Sequence, residues 1–238
     1  TLEKEITFRF LKARKKDGFL NVISIFSFIG ISLGVAVLII VMSVMNGFRT
    51  ELINKIVGFN AHITVKPYDK SLDKNNFRNN KLELISESLI LSNSSEAIII
   101  REQNTKGVLL RGYLNGDFSK LELINNEDFI GNKKLENNSI SVGRDLSFNL
   151  DLEIGDNITI MSSSGVQTIV GNLPKQKTFN ITSIFESGLA DFDNNVIFLN
   201  LNTIEEFSNL SENDRNLEIY LKKPHDIQNQ KNVVQRIF

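Results

Sequence analysis

The 238-residue chain has no cysteine and no tryptophan, and only two histidines and three prolines. Without a thiol there is neither a disulfide framework nor a cysteine nucleophile. The histidines, His62 and His225, stand far apart and outside any HExxH spacing, which argues against a zinc centre. No Gly-x-Ser-x-Gly elbow occurs. Gly165 and Gly171 are not followed by Lys-Ser or Lys-Thr, so they do not form a phosphate-binding loop. Asp191 and Asp193 alternate between turns and read as solvent-facing, not as a catalytic pair. The chain is expected not to be an enzyme by itself and to bind no metal.

A more informative absence is charge. From Gly18 to Phe48 there is no ionisable side chain, and Ile25 to Met45 reads IFSFIGISLGVAVLIIVMSVM. About 20 apolar residues cross a bilayer as a helix, so this run is long enough to span it and continue beyond. The excess fits either tilt or a stalk. A secretory h-region is shorter and ends in a small-residue cleavage site, which Met45-Asn46-Gly47-Phe48-Arg49 does not offer. Residues 1–18 carry six Lys or Arg (Lys4, Arg9, Lys12, Arg14, Lys15 and Lys16) against three acidic groups, whereas residues 60–238 carry 19 basic and 24 acidic side chains. The basic end therefore stays in the cytoplasm and the remainder lies across the membrane. With Leu2, Ile6, Phe10 and Ala13 at helical spacing, the lead suits the headgroup layer of a membrane lipid surface. A basic run joined directly to a span is explained by topology, so no nucleic-acid partner is expected. Asparagine, at 29 residues, accompanies abundant Lys and Ile and reads as coding bias.

The pattern divides the chain into a cytoplasmic basic amphipathic lead (1–18), a transmembrane helix (19–48), a stalk (49–60) and an extracytoplasmic domain (61–238). The fold class is membrane-anchored α+β: one N-terminal transmembrane helix followed by a mixed α/β extracytoplasmic domain of two lobes, with a small subdomain at about 139–215. Inside the span, Gly30 and Gly34 lie four apart, a spacing that lets another helix approach closely. Strands are expected at His62–Val65, Ala97–Ile100, Val108–Tyr113, Ile158–Ile160, Phe179–Phe185, Val196–Leu199 and Leu217–Leu221. Helices are expected at Lys81–Leu91, from Gly143, at Thr203–Leu210 and at Pro224–Ile237, where Pro224 suits a first turn. Asn75, Asn76, Asn79 and Asn80 mark a polar loop. Gly165 to Lys177 reads as a loop too long for a tight hairpin turn, with an apolar residue beside Pro174 and two lysines at its tip. Such a loop can present a contact surface, and an ordinary solvated loop fits the same residues.

Two segments carry a family resemblance. Arg9 to Ile63 resembles the start of permease subunits of the lipoprotein-releasing ABC transporter, the LolC/LolE family. The matching residues are Arg14, Gly30, Gly34-Val35 and Ser43-Val44-Met45-Asn46-Gly47-Phe48 followed by Glu51-Leu52. Weaker similarity follows from Gly143 through Gly155-Asp156 and around Phe179 to Phe207. In Gly171-Asn172-Leu173-Pro174-Lys175-Gln176-Lys177, the order Gly-x-x-Pro-x-Gln-basic resembles the hook-like hairpin of the LolC-like subunit, which recruits a carrier.

The resemblance implies a Gram-negative inner-membrane permease with four spans and a periplasmic domain between the first two. It implies a cytoplasmic ATPase subunit holding ATP and Mg, a second permease subunit, an acylated lipoprotein substrate and a periplasmic lipoprotein carrier. By the same resemblance the first span lines the acyl-chain cavity, so Gly30, Gly34, Val37, Val41 and Met45 serve helix packing or that cavity. Lys177 would offer charge to an acidic rim, and Leu173 with Pro174 apolar contact. The chain departs from the family by stopping at Phe238, before three of the four spans. Efflux or mechanotransmission by a related permease, or a single-span anchored binding module, are the alternatives.

Overall fold

The computed structural model describes residues 2–11, 18–68, 72, 80–102, 104–168 and 171–238, grouped as two compact units, Thr1–Asn54 and Lys55–Phe238. Lys12, Arg14, Lys15 and Lys16 of the basic lead, and Asn75, Asn76 and Asn79 of the polar loop, lie outside the described residues.

The first unit holds helix α1 (Leu2–Leu11) and most of α2 (Gly18–Phe59). No proline interrupts α2, and its 42 residues give a rod about 63 Å long at 1.5 Å per residue. Val22–Glu51 is long and apolar enough to cross a membrane, and none of that segment is buried by protein. Phe26 and Ile31 are 71% and 70% exposed. Side chains of this kind around a whole helix call for hydrocarbon as solvent, and a helix meets its own backbone hydrogen bonds there. The stretch expected as a stalk continues the same helix to Phe59.

The second unit contains, in chain order, β1 (Ile63–Val65), α3 (Asn80–Ile85), β2 (Ser86–Arg101), β3 (Asn104–Tyr113), α4 (Asn115–Phe118), α5 (Glu122–Asn125), β4 (Ile130–Gly131), β5 (Ser139–Gly143) and α6 (Arg144–Asn149). Then come β6 (Asn157–Thr168), β7 (Gly171–Phe185), α7 (Ala190–Asn195), β8 (Val196–Asn200), α8 (Leu201–Ser208), β9 (Asn216–Leu221) and α9 (Ile227–Gln235). Six of these strands close into a ring in the order β2–β3–β8–β5–β7–β6 and back to β2. Closure removes sheet edges, and the period-two alternation of each strand sends one face inward. Ile99, Leu110, Ile140, Ile160, Ile181 and Ile197, one from each strand, are all 0% exposed inside the ring. Outside it, a second core gathers Phe118, Phe185, Phe198 and Tyr113, and a third packs β9 against α3 and α9.

One expectation changes here. The helix expected over Lys81–Leu91 stops at Ile85, and Ser86 begins a 16-residue strand. The Ser86 hydroxyl donates to the Leu82 carbonyl at 2.6 Å, and Ser86–Ser92 pair with β9, so tertiary pairing overrides the local helical pattern. The strands within 139–215 supply four of the six ring members, β5 to β8, so their hydrogen bonding runs continuously into β2 and β3. The other expected strands appear, several longer than read, and Pro224 opens a short 3-10 turn, Pro224–Asp226, ahead of α9.

Candidate docking surface and its support

The segment expected as a loop between two strands is the far end of a hairpin. β6 and β7 stay paired out to Thr168↔Gly171, with Gly165↔Pro174 and Val166↔Leu173 in register. Residues 169–170, at its tip, lie outside the described residues. Between Met161↔Gln176 and Gly165↔Pro174, β6 advances four residues while β7 advances two. The excess is a bulge at Ser162–Ser164, whose hydroxyls approach to 2.9 Å. A bulge bends the strand that carries it, so the distal hairpin leaves the ring at a kink. Beyond it, among the described residues, these strands pair only with each other, and Pro174, which has no N–H to offer, sits on the open edge of β7. Gly171 has φ +129°, a backbone region that L side chains rarely adopt.

Along β7, Leu173 is 62% exposed, and Pro174 and Gln176 also face solvent. Gln176 lies against the Met161 sulfur at 3.7 Å. The two lysines are engaged within the chain. The Lys177 ammonium sits 5.3 Å from the centre of the Phe179 ring. Lys175 Nζ donates to the Glu206 carbonyl at 2.9 Å and to Asn209 Oδ1, both at the C-terminal end of α8. Two further bonds join the same places: Ser164 Oγ donates to the Ser208 carbonyl at 2.7 Å, and Asn209 Nδ2 to the Gly165 carbonyl at 3.3 Å. A helix C-terminus leaves carbonyls unpaired and carries partial negative charge, so a lysine and a hydroxyl are suitable caps.

Helix α8 is itself fixed to the ring. Ile204 packs so closely on Gly112 that a Cβ there would fall 2.3 Å from the Ile204 Cγ2. Phe207 meets the Phe179 ring edge-on at 5.7 Å. The buried Glu205 carboxylate accepts two bonds from Arg215, at 2.6 and 2.8 Å, and one from Asn93 Nδ2 at 2.8 Å. The hairpin thus leans on a helix that is itself packed and hydrogen-bonded to the ring.

A second buried carboxylate stands where the chain leaves α2. Glu218 on β9 accepts from Ser92 Oγ at 2.5 Å, from Arg111 and Tyr113 at 3.1 Å, and from Tyr220 at 3.3 Å. The other arm of the Arg111 guanidinium donates to Asn60 Oδ1 at 3.1 Å. Burial, joined by the Glu218 charge, pushes the Tyr113 and Tyr220 phenols up and keeps them as donors. His62 Nδ1 accepts the Leu221 N–H at 2.7 Å, so this histidine serves the strand pairing of β1 with β9. Sequence reading passed over Arg111, Glu205, Arg215 and Glu218, since their partners lie up to 126 residues away.

Asp193 differs from its sequence reading as a solvent-facing residue. It is 2% exposed, and its carboxylate accepts the Ser187 N–H at 2.9 and 3.0 Å and the Gly188 N–H at 3.2 Å. Burial raises its pKa against those bonds. Its work is to fold the turn before α7, while Asp191 is exposed. Among the described residues no group of three His, Cys, Asp or Glu could hold a metal ion. On α2, a Cβ added at Gly30 or Gly34 would meet nothing within 4 Å, and Val37, Val41 and Met45 are 50–61% exposed.

A fully exposed apolar helix leading into a closed-sheet domain with a rooted, projecting hairpin is the layout of a membrane-anchored domain. The model of the MacB-like periplasmic core domain matches residues 24–237, and the chain belongs to that family. It is similar to the lipoprotein-releasing system transmembrane protein LolC of Neisseria meningitidis serogroup B, at 27% identity over 95% of this chain and 56% of that protein. It is also similar to LolC of Xylella fastidiosa, at 26% over 86% and 51%. LolE of Haemophilus influenzae is 28% identical over 79% and 47%. The chain thus spans about half the length of the curated relatives it matches. The periplasmic region of MacB from Actinobacillus actinomycetemcomitans aligns at a TM-score of 0.44 and 8% identity, over 76% of this chain and 85% of that one. The chain is a permease module of an ABC transporter of the MacB/LolC type, set in the inner membrane with its N-terminus cytoplasmic and its larger domain periplasmic.

Proposed function

We propose that this module belongs to a LolC-like permease subunit of an ATP-driven complex that extracts outer-membrane-directed lipoproteins from the inner membrane and passes them to a periplasmic carrier. The observation that carries the reading is the rooted β6–β7 hairpin, which bears Gly171, Leu173, Pro174, Gln176 and Lys177 in the order of the LolC-like hook and exposes Leu173 and Pro174. The similarity to LolC proteins across most of the chain supports it. In this reading the segment 171–177 docks the carrier through its exposed side chains: Leu173 and Pro174 supply apolar contact, and Gln176 and Lys177 the polar rim. The span, through Gly30, Gly34, Val37, Val41 and Met45, packs against a second permease subunit or faces the lipoprotein's acyl chains. A separate cytoplasmic ATPase subunit binds ATP and Mg. The small unit at about 139–215 is the part that presents the hairpin.

Reconstitution of the full-length protein with its ATPase, an acylated lipoprotein and the carrier tests the reading. ATP is expected to increase lipoprotein transfer to the carrier, and equal transfer with and without ATP would refute it. Pro174→Ala with Lys177→Glu is expected to weaken carrier binding while membrane insertion stays intact.

A further inference from the structure

Past its bulge, the distal β6–β7 hairpin has no strand beside it among the described residues, and a two-stranded hairpin alone is marginally stable in water. Its direction must therefore come from bonds outside the hairpin. Four such bonds meet at the end of α8, through Lys175, Ser164 and Asn209. Lys175 makes two of the four, and it is the one charged group among them. Its ammonium completes the carbonyl of Glu206 in the last turn of α8, where the helix dipole favours a cation. The same lysine lies between Pro174 and Gln176, which point to solvent. Its neighbours are placed to meet a partner, and Lys175 is turned back onto the body of the domain.

We propose that Lys175 is a positioning residue: bonded to Glu206 and Asn209, it holds the distal hairpin in the orientation in which the hairpin meets its partner, and does not touch that partner itself. The inference rests on the docking role given above to residues 171–177. A hairpin freed from this clamp samples other directions, and apparent affinity falls by the fraction of time spent in the competent one. If that fraction drops to a tenth, binding weakens about tenfold.

The test uses the full-length protein and the purified carrier. Lys175→Met keeps the apolar stem and removes the donor, whereas Lys175→Arg keeps a cation that can reach the carbonyl. Asn209→Gly removes the other half of the clamp, and φ +55° at this position suits glycine, so the end of α8 is kept. Lys175→Met and Asn209→Gly are each expected to weaken carrier binding about tenfold, the double variant little more than either single one, and Lys175→Arg to bind close to native. Spin labels at Leu173→Cys and Phe148→Cys, in a background without other cysteines, read the orientation directly in the carrier-free protein. The distance distribution is expected to be narrow with Lys175 and broad with Lys175→Met. Native-like binding by Lys175→Met or Asn209→Gly would overturn the proposal, as would weakened binding with an unchanged narrow distribution, which would put Lys175 in contact with the carrier. Leu173→Asp separates the two ideas. If it binds the carrier like the native protein, the docking reading falls, and the distance distribution alone then decides whether Lys175 orients the hairpin.

Discussion

Isoleucines occur in two settings in this molecule. In α2, Ile39 and Ile40 are each 61% exposed, while in the six-stranded ring Ile140 and Ile197 are 0% exposed. The ring hides its apolar surface from water by closing on itself. The helix hides nothing, so its stability depends on a solvent that the protein does not provide. Polar groups follow the same division. The ring domain buries Glu205 and Glu218 and pairs each with an arginine, whereas Gly18 to Phe48 avoids charge altogether.

Substitutions that treat the two regions alike should separate them. The largest effect is expected from Arg111→Met, which leaves Glu218 buried with hydroxyl donors and no countercharge; roughly 3–5 kcal/mol of unfolding free energy should be lost, measured by denaturant titration of the detergent-solubilised protein. Ile197→Ala opens a cavity inside the ring and should cost about 2–5 kcal/mol in the same assay. The equivalent change in the span, Ile40→Ala, should cost only about 0.5 kcal/mol in a membrane-insertion assay, because lipid fills the space. Equal losses for the two isoleucines would contradict the contrast between self-buried and lipid-solvated surface.

The smallest effect should come from Asp214, which closes a capping box with Ser211 on the domain surface. The backbone N–H and the hydroxyl of Ser211 hold its carboxyl below the usual carboxylate range. A depressed native pKa gives stability that is present above the unfolded value and lost as pH falls through the native one. Asp214→Asn should slightly lower the melting temperature at neutral pH and reduce the acid-side slope, a difference that vanishes at low pH. Thermal melts of both proteins across an acid pH series would check this.

The span was the easiest part to read, because absence of charge over 31 residues is a local property. The β strands were legible where apolar residues alternate, as around Ile181, or run together, as from Val196 to Leu199. The distal hairpin was not, because Ser162–Ser164 and Gly165 break the alternation just where the bulge bends the strand. The order of residues around Pro174 marked a contact surface, yet nothing local says that Lys175 faces inward: its partners, Glu206 and Asn209, are 31 and 34 residues away. Asp193 was misread for a related reason. Spacing of two suggested a solvent-facing pair, but the turn at Ser187–Gly188 wraps around one member only.

The account depends on which side of the membrane each unit occupies. Single cysteines at Lys4 and Leu173 of the full-length protein, in a background without other cysteines, can be exposed in intact spheroplasts to a maleimide that does not cross the inner membrane. The topology requires Leu173→Cys to be labelled at once and Lys4→Cys only after lysis. Labelling of Lys4→Cys from outside with Leu173→Cys protected would reverse the orientation and remove the basis for any role in handing cargo to the periplasm.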